Sequence, residues 1–181
     1  METEIIKNDS ILDIVTIGNP ILKEISTAIE DINKVKETCI EMIDTLRFLK
    51  GAGLAAPQIG KTIRLFIVEV RKTELFPDRP ESPLYVVINP EIIKTSEEKE
   101  YGWESCLSIP GYVGFVPRYK SIKLKYFTIE GEQKEQIFDG YLARVMQHEY
   151  DHLEGINYME RIESLKDIST TENWKKYILN K

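Results

Sequence analysis

Apolar residues at Ile32, Val35, Cys39, Met42, Ile43, Leu46 and Leu49 recur every three or four positions, the signature of a helix that turns one face to a core. Asp31 stands where an N-cap would, and Gly51 where such a helix would stop. A second run of this kind follows Asp139 and Gly140. Leu142, Val145, Met146, Glu149 and Leu153 keep helical spacing, and Tyr141, Val145, His148 and His152 form the adjoining stripe. Asp139 is the expected cap of this helix and Gly155 its stop. Residues 63–70, 84–93 and 121–130 read as strands; in the last, Ile122, Leu124 and Tyr126 alternate with Lys123 and Lys125, as on a sheet with one wet face. Residues 71–82 are charged and proline-punctuated, a surface loop, and residues 97–100 read as a solvated turn. Residues 101–118 mix aromatics, glycines, a cysteine and two prolines with no clean period.

Together these elements predict an α+β fold: a single compact domain over residues 1–181, with mixed or antiparallel sheets packed around the second helix. A short N-terminal extension of about residues 1–13 is expected before it. After Gly155 a short extended piece should lead to a last helix, about residues 165–180, anchored by Trp174, Ile178 and Tyr177.

Composition narrows the class of protein. Hydrophobic residues make up 42% and charged residues 30%, as in ordinary globular chains, and no apolar run approaches the roughly 20 residues that cross a bilayer. The opening segment lacks a basic region and a cleavage site, so a cytoplasmic location is expected. A formal charge of -6, with acids spread along the chain, gives no reason to expect a membrane or sequence-specific nucleic acid as partner. Two cysteines are too few for a disulfide scaffold; Cys39 falls in the first helical stripe and reads as a small core residue.

Residues 148–152 carry the chemistry: His148-Glu149-Tyr150-Asp151-His152. On a helix the two imidazoles lie on one face, able to grip one metal ion with Glu149 beside it as proton carrier, and they are the chain's only histidines. Catalytic sites of this kind usually take three protein ligands and leave a position for water. The third could be an acid beyond the motif, Glu160, Glu163 or Glu172, as in a zinc endopeptidase. It could equally be Cys106, a softer thiolate arriving from a distant irregular segment. A non-catalytic metalloprotein that binds chain amino termini is a third possibility. The small residues of Gly51-Ala52-Gly53-Leu54-Ala55-Ala56-Pro57-Gln58 let backbone pass close to something, and they are not a phosphate loop because the Gly-Lys-Ser/Thr ending is missing.

Three segments in this order and spacing resemble the peptide deformylases: residues 51–58 just quoted, Glu104-Ser105-Cys106-Leu107-Ser108, and Gln147-His148-Glu149-Tyr150-Asp151-His152-Leu153-Glu154-Gly155. Gly18-Asn19-Pro20-Ile21-Leu22 resembles a further family stretch, and the likeness covers about residues 14–165. Trp103, residues 111–114 and Tyr141 resemble the subgroup that includes organellar deformylases. The resemblance implies that Cys106, His148 and His152 hold the metal, Fe(2+) first and Zn(2+), Ni(2+) or Co(2+) as alternatives. It implies that Glu149 moves the proton and that the Gln58 amide and the Leu107 N–H face the formyl oxygen. Gly51 and Gly53 would flank the substrate backbone, with Tyr141, Arg144 and Val145 at the methionine pocket; the arginine would line it with its alkyl stem or else turn to solvent. Glu104 would pair with Arg118 behind the cysteine. Two departures stand out: Ser105 where glycine is commoner, and Val113 near the place of a substrate-contacting arginine. The implied reaction removes the formyl group from the N-terminal formyl-methionine of new polypeptides, with N-formylmethionyl peptides and nascent chains as substrates; transient contact with the ribosome is one further possibility, on which the sequence is silent.

Overall fold

In a computed structural model of the chain, described over residues 11–179, eight strands form two antiparallel sheets. The larger has the order β1 (Gly53–Ala55), β2 (Leu65–Val68), β3 (Tyr85–Thr95), β6 (Ser121–Phe127), β7 (Gln133–Asp139). The smaller joins β4 (Lys99–Cys106), β5 (Ile109–Tyr119) and β8 (Ile168–Thr170). A short 3-10 turn at Ile32–Val35 leads into α1 (Lys36–Phe48), and α2 (Gly140–Leu153) follows β7 directly. Residues 1–10 lie outside the description, and with them most of the expected N-terminal extension.

The two helices take opposite faces of the larger sheet. Cys39, Met42 and Leu46 of α1 pack with Leu65, Ile67 and Ile88, while Ala143, Met146 and Leu153 of α2 pack with Phe66, Val68, Val87 and Phe138. All four residues of β2 are therefore buried, and its unbroken Leu-Phe-Ile-Val run is what a strand covered on both sides requires. β6 keeps the predicted alternation, with Ile122, Leu124 and Tyr126 buried. The smaller sheet covers the rest of α2, so this helix runs between the two sheets, as expected of the metal-motif helix. No helix among the described residues is long and apolar enough to cross a membrane.

Several local expectations fail for physical reasons. Residues 101–118, predicted irregular, are most of a β4–β5 hairpin whose strands pair from Lys99 with Tyr119 to Cys106 with Ile109. Inward positions there carry Glu104 and Arg118, so no apolar alternation shows in the sequence. Lys99 and Glu100 belong to β4 and not to a turn. Asp139 makes no side-chain cap; Gly140, at φ +55°, carries the switch from strand to helix. At the end of α1 the left-handed residue is Lys50, not Gly51, whereas Gly155 ends α2 with the expected positive φ of 70°. The C-terminal helix is shorter than predicted: β8 pairs with Tyr112–Gly114 of β5, and only then do α3 (Thr171–Trp174) and a π-helical turn at Lys175–Leu179 form. Trp174 is buried as its anchor, while Tyr177 and Ile178 are exposed.

Candidate metal centre

The hairpin turn at Leu107 and Ser108 brings Cys106 onto the helix motif. One ligand atom each from Cys106, His148 and His152 lies within 4.8 Å of the others, and Cys106 Sγ is 3.2 Å from His152 Nε2. All three side chains are buried. A thiolate and two imidazoles are a donor set for a first-row divalent ion. The carboxyl of Glu149 reaches the same place, and its Oε2 is buried without any hydrogen-bond partner. A buried carboxylate oxygen left unpaired is costly unless a ligand completes it, so the residues fit a bound ion with water beside Glu149. The acids proposed as alternative third ligands lie elsewhere: Glu160 accepts from Asn157, Glu163 accepts from the Tyr101 hydroxyl, and Glu172 is exposed.

Glu104 is the hub behind the donors. Its Oε1 accepts from Arg118 Nε and Arg144 Nη1, both at 2.9 Å. Its Oε2 accepts from Arg118 Nη2 at 3.0 Å and faces His148 Nδ1 at 2.9 Å. The four lone-pair positions of the carboxylate are thus all used. The His148 contact assigns the Nδ1 proton and leaves Nε2 for a metal. Burial alone would raise the Glu104 pKa, but the His148 hydrogen bond and the charge and bonds of Arg118 hold it well below the usual carboxylate range. Arg118 also donates to Asp151, whose carboxylate takes two bonds from Arg161.

The two imidazoles are driven apart. Burial works against a charge on His148, yet contacts with Cys106 and Glu104 outweigh it and raise the pKa well above the ordinary value. Burial, followed by the charge of His148, lowers that of His152. A cation held by these donors would need the neutral imidazoles and the thiolate, so its uptake would release protons. Burial pushes Glu149 up to about 7, only partly offset by His148. A carboxyl with that pKa can take and return a proton near neutral pH.

Gln58 lies under the same site. Its Oε1 accepts from the Ala55 N–H at 2.8 Å, which fixes the amide so that Nε2 sits 3.3 Å from both Cys106 Sγ and Ser108 Oγ. Gly53 has a steric reason to be glycine: a Cβ there would come within 2.7 Å of Glu149 Cγ and Cδ. The room it leaves is taken by the Glu149 side chain. Gly51, Gly53, Gln58, Leu107, Tyr141 and Val145 all border one open cavity of about 820 Å³ that ends on Cys106, His148 and Glu149.

Arg144 borders that cavity too, but it does not turn to solvent. Its guanidinium is tied to Glu104 and to the carbonyls of Glu100 and Val116, and Gly102 makes room for it. The sequence reading missed Asp151, Arg161, Ser108 and the loop at residues 73–80 that walls the cavity. Arg144, His148 and Asp151 stand at helical positions i, i+4 and i+7, a polar stripe inside a buried helix that was a usable signal.

Residues 11–167 match the family model described as polypeptide deformylase. Peptide deformylase 2 of Nostoc sp. is 35% identical over 173 residues, 94% of this chain and 97% of that protein. Peptide deformylase 1 of Bordetella pertussis is 38% identical over 161 residues, 88% and 92% of the two. Among solved structures, a Met-Ala-Ser-bound class I type b peptide deformylase from Acinetobacter baumannii superposes with a TM-score of 0.81 at 39% identity, covering 84% of this chain and 98% of the other. The peptide deformylase of Thermotoga maritima gives 0.76 at 35% identity, covering 85% and 99%.

Proposed function

Because this chain belongs to the peptide deformylase family, we propose that Cys106, His148 and His152 hold its metal ion and that Glu149 carries the proton as the formyl amide is hydrolysed. The enzyme removes N-formyl groups from nascent peptides, as its family does, and it is metal-dependent. One observation supports the residue assignment above the others: three ligand atoms within 4.8 Å of one another, with Glu149, whose Oε2 is buried and unpaired, lining the same cavity. When bound, a divalent ion on these donors supplies Lewis acidity that polarises a carbonyl and lowers the pKa of water.

The chain's own groups do the rest. Glu149 takes a proton from the attacking water and delivers it to the departing amine, a role its buried carboxyl suits by lining the cavity next to Cys106 and His148. The Gln58 amide and the Leu107 N–H donate to the formyl oxygen as negative charge grows on it. Glu104, braced by Arg118, keeps His148 in the tautomer that offers Nε2 outward. Gly51 and Gly53 border the path of the substrate backbone, and Tyr141 and Val145 the methionine side chain.

Fe(2+) is the ion we assign in the cell, on family resemblance and a thiolate and imidazole donor set that also accepts Zn(2+), Ni(2+) or Co(2+). Work on nascent chains extends the proposal to the cytoplasm and to transient contact with the ribosome. The test is to purify the protein without oxygen, measure bound iron, zinc and nickel, and follow formate release from formyl-Met peptides. Release that tracks metal content supports the assignment; a fully loaded protein that releases none rejects it.

A further inference from the structure

We propose that Arg79, on the loop between β2 and β3, is a specificity-determining residue that favours substrates with a carboxylate side chain in the residues just after the methionine. The inference rests on the deformylase reading and deepens it. Arg79 borders the cavity that ends on Cys106 and Glu149. Its guanidinium carbon lies 4.1 Å from the centroid of the Phe76 ring and 5.1 Å from that of Tyr141. Two aromatic faces hold the planar group, and stacking of this kind leaves its N–H edges free to meet an oxygen ligand.

No such ligand is supplied by the described residues. Among the described residues Arg79 takes part in no ion pair and no side-chain hydrogen bond, although it is half-buried. The other charged groups on the cavity wall are already engaged or solvated: Lys50, Lys175, Glu74 and Asp78 are exposed, Arg144 is paired with Glu104, and Glu149 lies at the end of the cavity with Cys106 and His148. Arg79, half-buried beside Tyr141, is the cation on this wall that is neither exposed nor paired with a carboxylate among the described residues. A planar cation with free edges matches a carboxylate in bidentate geometry, while a lysine side chain in the same place meets repulsion.

The metal-loaded enzyme is assayed for formate release with two peptide series, formyl-Met-Xaa-Ser and formyl-Met-Ala-Xaa, where Xaa is Asp, Asn or Lys. In at least one series kcat/KM should fall from Asp to Asn by about five- to tenfold, chiefly through KM, and further for Lys. High salt should shrink the ratio. In Arg79→Gln the Asp to Asn ratio should fall to about one, and Arg79→Lys should restore part of it. Damage to the loop alone would slow all peptides together and leave the ratio standing. Equal rates for Asp, Asn and Lys in both series, or a preference that survives in Arg79→Gln, would overturn the role of Arg79 while leaving deformylation intact. No release from any peptide would overturn the deformylase reading itself.

Discussion

The larger sheet and the β4–β5 hairpin are built from strands of the same kind and bury opposite materials. Between α1 and α2, β2 and β3 enclose Leu65, Phe66, Ile67, Val87 and Ile88. The hairpin turns Glu104 and Arg118 inward instead, each under 10% exposed, against Arg144, His148 and Asp151 of α2. An apolar interior tolerates changes that keep its volume, because dispersion and burial are not directional. A buried charge network has no such latitude: every member must find its partner, and the partners fix angles as well as contacts. The first region holds α2 in place; the second aims its imidazoles and the thiolate.

Substitutions should separate the two roles. The largest effect is expected where the network meets the reaction: Glu149→Ala should lower kcat by about 10²–10⁴-fold while metal content, read by elemental analysis, stays at the wild-type level. Full turnover in that variant would remove its proton-carrying role. Glu104→Ala leaves Arg118 and Arg144 buried without their shared anion, so denaturant unfolding should show a loss of about 3–5 kcal/mol. Metal titration of the same variant should show affinity weakened by about 10–100-fold. Met42→Ala, in the apolar region, should cost about 2–5 kcal/mol by cavity formation and leave metal stoichiometry unchanged.

Acid should find the network before it finds the apolar core. Glu104 is held below its ordinary 4.5, so its contribution to stability is complete above that pH and is lost as pH falls through its folded value. Glu149 in the metal-free protein has the opposite sign. Its carboxyl is raised from 4.5 to about 7, so its own contribution to stability declines as pH rises between those values and levels off above. Unfolding curves from pH 4 to 8 on metal-free wild type and Glu149→Gln test this: the imidazole contributions are common to both, so the stability of wild type relative to the variant should fall across that window, and a pH-independent difference would contradict it. The smallest effect belongs to the outer surface: Arg47→Ala, which breaks a pair with Glu69, should change stability by about 1 kcal/mol or less.

The same contrast explains what could be read from the chain beforehand. α1 and β6 follow the period of their apolar residues and β2 follows an unbroken apolar run, and these patterns are visible because burial there is apolar. Cys39, read as a core residue, is fully buried against α1's own stripe. In residues 101–118 the buried Ile109, Val113 and Val116 are interspersed with the buried charges Glu104 and Arg118, so the pattern of hydrophobicity breaks where the charged pair turns inward. The donor residues were legible for a different reason, since motif spacing and family resemblance pointed to Cys106, His148 and His152. The pairing of Asp151 with Arg118 and the stacking of Arg79 on Tyr141 join segments distant in sequence, which only the folded chain brings together.

The central claim is that a thiolate from the hairpin completes a site that the helix alone cannot. Metal content and formate release should be measured together on anaerobically prepared wild type and Cys106→Ala. Wild type should carry about one ion per chain and release formate, and the variant should lose both. A variant that keeps a full complement of metal and full activity would contradict the account, because His148 and His152 would then need a ligand other than Cys106.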